Sequence, residues 1–202
     1  MKLSGHEVLS ATQAQAWEAL NDTEMLKAAI SGCESLQPEA GSSEPHRYEL
    51  LMAVSIGPVK ARFKGRLQLS ELQPPHSYRL SFDGQGGAAG HGKGTAQVRL
   101  EAQPDAADGR AQTLLHYEVE ASVGGKIAQI GSRLVDLAAQ KLAQDFFAAF
   151  NTALQQRYPA AQLPSASAQG EAGTPKSRFQ RLLDWYLGWL GSIFKPPKSP
   201  TN

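Results

Sequence analysis

Apolar and polar residues alternate strictly in several consecutive stretches between residues 48 and 121, and this pattern constrains the fold most. A period of two places successive side chains on opposite faces of a strand, so each stretch predicts a strand. Short turn segments such as Gly57-Pro58 and Pro74-Pro75 separate them, which predicts hairpins and one antiparallel sheet with a single buried face. The apolar positions are Tyr48, Leu50, Met52, Val54 and Ile56; Val59, Ala61, Phe63, Leu67 and Leu69; Tyr78, Leu80 and Phe82; Ala96, Val98 and Leu100; and Leu115, Tyr117, Val119 and Ala121.

The apolar period changes to that of a helix from about Lys126 to Gln156. A helix of roughly 30 residues is long enough to cross the concave face of the sheet. Before the sheet, Leu3 to Leu9 predicts a strand, and Thr12 and Asp22 predict the N-caps of two short helices. The fold class is therefore α+β, with an antiparallel sheet wrapped on a long C-terminal helix.

An elongated apolar cavity between the sheet and this helix is one of two expectations for the interior. The helix carries many small residues that would leave space, namely Ala128, Gly131, Ala138, Ala139, Ala143, Ala148 and Ala149. Close packing of an alanine-rich helix on the sheet is the other expectation. We select as candidate ligand-binding residues the apolar strand positions predicted to point inward and the residues on the helix face predicted to meet the sheet. They are Met52, Phe63, Phe82, Tyr117, Ile127, Ile130 and Leu134.

A strongly amphipathic segment lies near the C-terminus, at residues 177–195. Its apolar arc contains Phe179, Leu182, Leu183, Trp185, Tyr186, Leu187, Trp189, Leu190, Ile193 and Phe194, and basic residues flank it. These features are typical of a helix that lies in a membrane interface. The sixteen residues from Phe179 to Phe194 rise only about 24 Å as a helix, which is too short to span the hydrocarbon core. Docking on a partner groove or on the body of the same chain are the alternatives.

Charge and composition separate this tail from the rest of the chain. The residues from Lys176 onward carry a net charge of +4, and because the whole chain is +1, residues 1–175 carry −3. Anionic lipid attracts a basic tail, whereas an acidic body disfavours nucleic acid as a partner. Residues 157–176 are rich in Ala, Pro, Ser, Gly and Gln, which predicts a disordered linker. The predicted organisation is a ligand-binding domain (1–156), this linker, the amphipathic helix (177–195) and a short end (196–202).

The N-terminus and the cysteine content predict the compartment. MKLSGHEVLSA contains no long apolar run that would form a signal peptide, and a single cysteine, Cys33, excludes an internal disulfide. We therefore expect a cytoplasmic protein, peripheral on the inner face of the cell membrane, with the tail on the inner leaflet.

Groups suited to catalysis or metal binding are scarce. No two of the five histidines have ligand spacing, and Cys33 has no nearby base, so no catalytic or metal-binding residue is assigned. The sequence from Gly87 to Gly94 nearly matches the motif of a phosphate-binding loop. However, the alternation from Thr95 to Ala102 predicts a strand where such a loop must open a helix. A bent strand, or a lip at the cavity mouth with His91 and Lys93, is the expectation instead.

Four stretches together resemble the CoxG family of carbon monoxide dehydrogenase subunits, over about residues 1–155. They are MKLSGHEVLSATQAQAWEALNDTEMLKAAISGCESL at the start, GPVKARFKG at 57–65, GGAAGHGKG at 86–94 and VGGKIAQIG at 123–131. The resemblance implies the helix-grip fold of the START-like (SRPBCC) superfamily, with an apolar cavity. It also implies binding of a respiratory quinone, and attachment of a molybdenum hydroxylase of the carbon monoxide dehydrogenase type to the cytoplasmic membrane.

These observations predict a non-enzymatic, membrane-attached adaptor that holds a quinone, menaquinone or ubiquinone, without a covalent cofactor. A START-like enzyme of the cyclase or hydrolase type and a protein-docking module without ligand are the alternatives. Lys60, Arg62 and Lys64 alternate with inward residues and form a candidate docking stripe for the partner dehydrogenase. An ordinary solvated strand face is the other interpretation of the stripe.

Overall fold

The computed structural model describes residues 1–42 and 45–159, which form one sheet and the helices packed on it. The strands are β1 (Lys2–Leu9), β2 (Cys33–Pro38), β3 (Arg47–Ile56), β4 (Val59–Gln73), β5 (Ser77–Gln85), β6 (His91–Gln103) and β7 (Gln112–Gly124). The α-helices are α1 (Gln13–Leu20), α2 (Thr23–Ala29), α3 (Lys126–Gln129) and α4 (Ser132–Arg157), and a 3₁₀ turn spans Gly87–Ala89. This confirms the predicted α+β class.

The seven strands form one antiparallel sheet in the order β1-β7-β6-β5-β4-β3-β2. Strands β2 to β7 follow each other as a meander, and β1 adds to the edge beside β7. Cross-strand pairs such as Leu67 with Phe82 and Tyr78 with Val98 join residues of the same predicted parity. The alternation therefore identified the buried face correctly, although it did not identify β2.

Both predicted helix caps are confirmed. The Thr12 hydroxyl accepts from the Gln15 backbone N–H, and the Gln15 side chain accepts from the Thr12 N–H at 3.0 Å, which forms a capping box. The Asp22 carboxylate accepts from the backbone N–H groups of Glu24 (2.9 Å) and Met25. These caps set the tight α1–α2 corner that closes one end of the concave face.

The predicted long C-terminal helix is confirmed, but it begins at Ser132 rather than at about Lys126, because the chain breaks between α3 and α4. Gly131 caps α4 at its N-terminus with φ +94, a backbone conformation that a residue with a side chain adopts with strain. The 26-residue α4 then crosses the sheet. Phe150 and Leu154, near its C-terminal end, are fully buried against a core that includes Leu9, Leu100 and Leu115.

A second apolar cluster forms where α3 and the start of α4 meet the sheet. Its buried members are Phe63, Ala89, Ile127 and Val135. It is distinct from the core around Phe150, so two separate packed regions hold the long helix to the sheet.

The predicted start of the linker at residue 157 is wrong, because Arg157 is the last residue of α4 and Tyr158 packs against the core. Residues 160–176 of the predicted linker and the predicted amphipathic helix lie outside the described residues. No helix within the described ranges has both the length and the apolar content that crossing a bilayer would need.

Candidate functional site

An apolar cavity of about 420 Å³ lies between the concave face of the sheet, α2 and α4. Strands β3 to β7 contribute inward side chains, including Met52, Leu67, Leu80 and Val119. The helices close the cavity with Leu26 and Ile30 near the end of α2, and with Leu142, Ala143, Phe146 and Phe147 of α4. The cavity that the small helix residues suggested is therefore present, at a volume typical of small-molecule sites.

The structure brings three of the seven candidate ligand-binding residues into the cavity wall. Met52, Phe82 and Tyr117 line it. Phe63, Ile127 and Ile130 instead belong to the second apolar cluster, where Phe63 and Ile127 are buried. The alternation of apolar residues predicts which face of the sheet a side chain points to, but not where along the strand the cavity lies. It therefore could not distinguish residues that line the cavity from residues that pack in the second apolar cluster.

Leu134 and part of the small helix face also differ from the expectation. The Leu134 side chain is 47% exposed and lies in a separate groove beside α4. Ala148 and Ala149 are exposed as well, whereas Ala143 lines the cavity. Leu134 lies on the same face of α4 as Leu142, two turns earlier, so its position along the helix rather than its face places it in the groove instead of the cavity.

Several cavity residues were not selected from the sequence. Tyr48 and Tyr78 share the inward parity and could have been chosen on it, whereas Ile30 and Ser31 reach the cavity only because α2 folds over the sheet. Phe147 could not have been selected from the pattern, because it is not one of the regularly spaced apolar positions predicted to face the sheet.

Aromatic rings form one wall of the cavity. The Tyr117 ring stacks on Phe147 with ring centroids 5.2 Å apart and planes at 29°. Phe146 meets Phe147 edge-on at 5.1 Å and stacks on Phe150 at 5.5 Å. This wall ties β7 to α4 and gives the cavity a rigid, polarisable side.

Tyr78 brings a polar group into these surroundings. Its side chain lines the cavity, is 6% exposed, and packs edge-on against Trp17 with ring centroids 5.7 Å apart. Its hydroxyl makes no hydrogen bond with any residue that the structure describes. Burial raises the pKa of Tyr78 well above its usual value, so the phenol stays protonated and can donate. Tyr78 Oη is not among the fully buried, unpaired side-chain oxygens of the described residues, so a ligand oxygen in the cavity could accept a hydrogen bond from it.

The other polar groups of the lining are few and uncharged. They are Asn21, Thr23 and Ser31, together with the hydroxyls of Tyr48 and Tyr117. Within the described residues, the lining includes no carboxylate, imidazole, amine or thiol. Such a wall can orient a ligand by hydrogen bonds, but it offers no ordinary general base.

A groove of about 410 Å³ adjoins the cavity on the side of α4. Leu134, Leu137 and Ala138 of α4 face Val54 and Ile56 of the β3–β4 hairpin across it. Ser31, which follows α2, and Leu142 of α4 line both spaces.

The glycine-rich stretch forms a turn and the start of a strand. The 3₁₀ turn Gly87–Ala89 leads directly into β6, so no helix follows, and a phosphate-binding loop is excluded. A Cβ at Gly94 would lie 2.7 Å from the Phe82 ring carbon Cζ. The glycine therefore makes room for Phe82 in the cavity wall.

The titratable side chains outside the cavity do not form a metal site. Strand pairing places His6 opposite His116 on the outer face, with ring centroids 6.2 Å apart. Within residues 1–42 and 45–159, no three His, Cys, Asp or Glu side chains lie close enough to hold a metal ion. Burial raises the pKa of the Cys33 thiol, which keeps the thiol protonated near neutral pH.

The candidate docking stripe lies on the outer face of β4 with all three side chains exposed, as their parity predicts. Arg62 Nε lies 2.8 Å from Glu34 Oε1, and Lys64 Nζ lies 3.7 Å from Glu49 Oε1. Lys60 forms no ion pair with the described part of the chain. Two of the three positive charges are thus balanced locally, which weakens the stripe as a purely electrostatic surface.

Comparison with known proteins supports the fold and a family. The model of the CoxG family of carbon monoxide dehydrogenase subunits matches residues 5–155. A conserved protein from Geobacillus kaustophilus is 28% identical, with a TM-score of 0.69, over 77% of this chain and 96% of that one. None of the curated proteins compared with the chain matches it significantly.

Two more distant structures are similar in fold alone. A START superfamily protein from Mycobacterium smegmatis is 14% identical with a TM-score of 0.55, over 77% of this chain and 98% of its own. The Zhui aromatase/cyclase from Streptomyces sp. R1128 is 12% identical with a TM-score of 0.54, over 80% and 98% of the two chains. The described part of the chain therefore has the START-like helix-grip fold.

Proposed function

We propose, from the premise that this chain belongs to the CoxG family of carbon monoxide dehydrogenase subunits, that it is a non-catalytic carrier and adaptor. It would hold a respiratory quinone in its cavity and bring a molybdenum hydroxylase of the carbon monoxide dehydrogenase type to the cytoplasmic membrane. The family's name denotes an accessory subunit of a dehydrogenase rather than its catalytic chain.

The unpartnered hydroxyl of Tyr78, in a cavity whose lining is mostly apolar, is the observation that carries the proposal. A quinone head group is a flat apolar ring with carbonyl oxygens that can only accept hydrogen bonds. The protonated Tyr78 hydroxyl can donate to such an acceptor, and the aromatic wall of Tyr117 and Phe147 offers a surface for the ring. Menaquinone and ubiquinone both fit this chemistry.

The composition of the cavity lining supports a carrier over an enzyme. The described part of the lining contains no group that would ordinarily act as a general base or a metal ligand, so no neighbouring side chain of the lining would activate the Ser31 or Thr23 hydroxyl as a nucleophile. The likeness to an aromatase/cyclase extends to the fold at 12% identity and lends no residue to this cavity.

Attachment to the membrane and docking of the dehydrogenase rest on the sequence. The basic, aromatic-rich segment at 177–195 would lie on the inner leaflet of the cytoplasmic membrane, with residues 160–176 as its linker. Lys60, Arg62 and Lys64 would face the dehydrogenase from the convex face of the sheet, which is the face away from the cavity. This arrangement would let an oxidoreductase in the cytoplasm reach an electron acceptor dissolved in lipid.

The first experiment is to identify the bound molecule. The full-length chain would be purified from its native membrane, extracted with organic solvent and analysed by mass spectrometry. We expect a quinone in near-stoichiometric amount, and added quinone should raise the melting temperature of ligand-free protein because it binds only the folded state. Failure of every quinone to bind or to shift melting would contradict the carrier proposal and favour the docking-only alternative.

A further inference from the structure

One end of the cavity holds both a hydroxyl that can donate a hydrogen bond and an amide oxygen that can only accept one. Trp17 of α1 packs edge-on against Tyr78, with ring centroids 5.7 Å apart. Asn21, at the C-terminal end of the same helix, donates its amide Nδ2–H to the Trp17 backbone carbonyl at 2.8 Å. Both Asn21 and Tyr78 line the cavity, so Trp17 links the two polar side chains at the same end of it.

The end of α1 fixes the orientation of the Asn21 amide. The last carbonyl groups of a helix lack intrahelical donors, and the backbone N–H of Asn21 bonds the carbonyl of Glu18 rather than that of Trp17. Because the Trp17 carbonyl can only accept, it must face the amide nitrogen of Asn21. The amide oxygen, Oδ1, therefore points away from it, and it makes no hydrogen bond with any residue that the structure describes.

Reduction changes the hydrogen bonds that a quinone can make. It adds two electrons and two protons, so two carbonyl oxygens that only accept become two hydroxyl groups that both donate and accept. The Tyr78 hydroxyl can donate to the oxygen of either form. The Asn21 oxygen has no hydrogen to donate, so it repels the lone pairs of the quinone and accepts a hydrogen bond from the quinol.

We infer that Asn21 makes the cavity bind the quinol more tightly than the quinone. The inference rests on the proposed function, and it names the redox form that the site prefers. A site with an acceptor for a ligand hydroxyl discriminates against the analogue that lacks this hydroxyl, because the acceptor is then left without a partner. Asn21 is only partly buried, so we expect a difference in affinity of about tenfold.

Tighter binding of the quinol raises the reduction potential of the bound molecule. Binding and reduction are linked, and a tenfold difference in Kd between the two forms of a two-electron couple corresponds to about 30 mV. The bound quinone is then a better electron acceptor for a dehydrogenase than the same quinone free in solution.

The affinities for the two redox forms test the role of Asn21. The full-length protein would be titrated under anaerobic conditions with menadione, a water-soluble naphthoquinone, and with its reduced form menadiol, and calorimetry would give each Kd. We expect the wild-type protein to bind menadiol about tenfold more tightly. Asn21→Leu has a side chain of similar size without the acceptor, so it should bind both forms equally and lower the potential of bound menadione by about 30 mV in a redox titration.

Asn151→Leu is the matched control, because it removes the same amide group from a position outside the cavity lining. Asn151 Nδ2 donates to the Val8 carbonyl at 3.4 Å, and Asn151 Oδ1 accepts from the Ser10 backbone N–H at 2.8 Å. Loss of these two bonds should lower the melting temperature but leave the ratio of the two Kd values unchanged.

Asn21→Asp separates the acceptor from the contact with α1. An ionised aspartate, like leucine, cannot donate to the Trp17 carbonyl, but its carboxylate accepts hydrogen bonds more strongly than an amide oxygen does. We therefore expect the potential of menadione bound to Asn21→Asp to be at or above the wild-type value. A potential below the wild-type value in both Asn21 variants would show that the residue acts only through the structure of α1, and would overturn the inference.

The same titrations distinguish failure of the inference from failure of the proposed function. If the wild-type protein binds both forms but its ratio of Kd values is unchanged in Asn21→Leu, the carrier proposal stands and Asn21 does not select the redox form. Tighter binding of menadione than of menadiol by the wild-type protein would also overturn the inference. If the wild-type protein binds neither form of any water-soluble quinone, the carrier proposal and the inference both fail.

Discussion

The Tyr117 side chain lies directly over Gly5, its cross-strand partner on β1. A Cβ at Gly5 would come within 2.5 Å of the Tyr117 hydroxyl oxygen and 2.7 Å of its ring carbon Cζ. The glycine therefore provides the space in which the ring lies flat, stacked on Phe147 of α4. One small residue at the sheet edge thus shapes a wall of the cavity.

Replacing Gly5 by alanine should push the Tyr117 ring out of this position. We expect Gly5→Ala to lower the free energy of unfolding by about 1–2 kcal/mol and to weaken quinone binding, because the stack with Phe147 is disturbed. Gly92→Ala is the matched control, since a Cβ there meets nothing closer than 3.8 Å. Denaturant unfolding and quinone titration would measure both effects, and equal behaviour of the two variants would contradict the role of Gly5.

Removing only the Tyr78 hydroxyl should separate ligand binding from stability. We expect Tyr78→Phe to weaken quinone binding about tenfold, because the head-group carbonyl loses its donor. The melting temperature of the ligand-free protein should not fall, since the hydroxyl has no partner among the described residues and the ring still packs on Trp17.

Tyr48→Phe is the control for this hydroxyl, because Tyr48 lines the same cavity but is only half-buried. If Tyr78→Phe binds quinone as tightly as the wild-type protein does, the hydroxyl does not recognise the head group.

Asp22 should make the stability of the domain depend on acid pH. The hydrogen bond from the Arg157 guanidinium is the main cause that lowers the pKa of Asp22 below its ordinary value of 3.8. A lowered folded-state pKa stabilises the fold above pH 3.8, and this contribution is lost as the pH falls through the folded-state value.

Asp22→Asn would test this contribution, because asparagine keeps an N-cap acceptor for α2 but loses the charge. We expect the variant to be less stable by up to about 1 kcal/mol near pH 7, since the pair is partly exposed. The difference should vanish at strongly acid pH in thermal melts taken across the range. A difference that is the same at every pH would mean that capping, not charge, is responsible.

The apolar arc of the tail should carry most of the affinity for membranes. We expect Trp185→Ser/Trp189→Ser to weaken sedimentation with anionic vesicles, and to do so more than added salt does, because salt screens only the charges. If a chain lacking residues 176–202 sediments with the vesicles as completely as the full-length chain does, the tail is dispensable for membrane binding.

Reversing the docking stripe should affect the partner and not the ligand. We expect Lys60→Glu/Arg62→Glu/Lys64→Glu to reduce co-purification with the dehydrogenase, while vesicle binding and quinone stabilisation remain. Since Arg62 and Lys64 are already paired with Glu34 and Glu49, reversal of Lys60 alone should produce a large share of the loss. If the triple variant co-purifies with as much dehydrogenase as the wild-type protein does, these residues do not dock the dehydrogenase and only keep the strand face soluble.

Local patterns in the sequence determined the kinds of elements and the face that each one buries. The alternation around Leu67 and Phe82 and the caps at Thr12 and Asp22 depend on neighbours within a few residues, so they could be predicted. Strand β2 escaped prediction because it lies at the sheet edge and buries only Leu36, so it shows no alternation.

Only the tertiary structure decided where along the sheet the cavity lies and what surrounds it. Met52 and Phe63 are cross-strand partners with the same inward parity, yet only Met52 lines the cavity, whereas Phe63 is buried in the second apolar cluster with Ile127. Likewise the isolation of the Tyr78 hydroxyl depends on side chains far from it in sequence. Periodicity reports the direction of a side chain, whereas an empty space depends on contacts between distant elements, which no local pattern encodes.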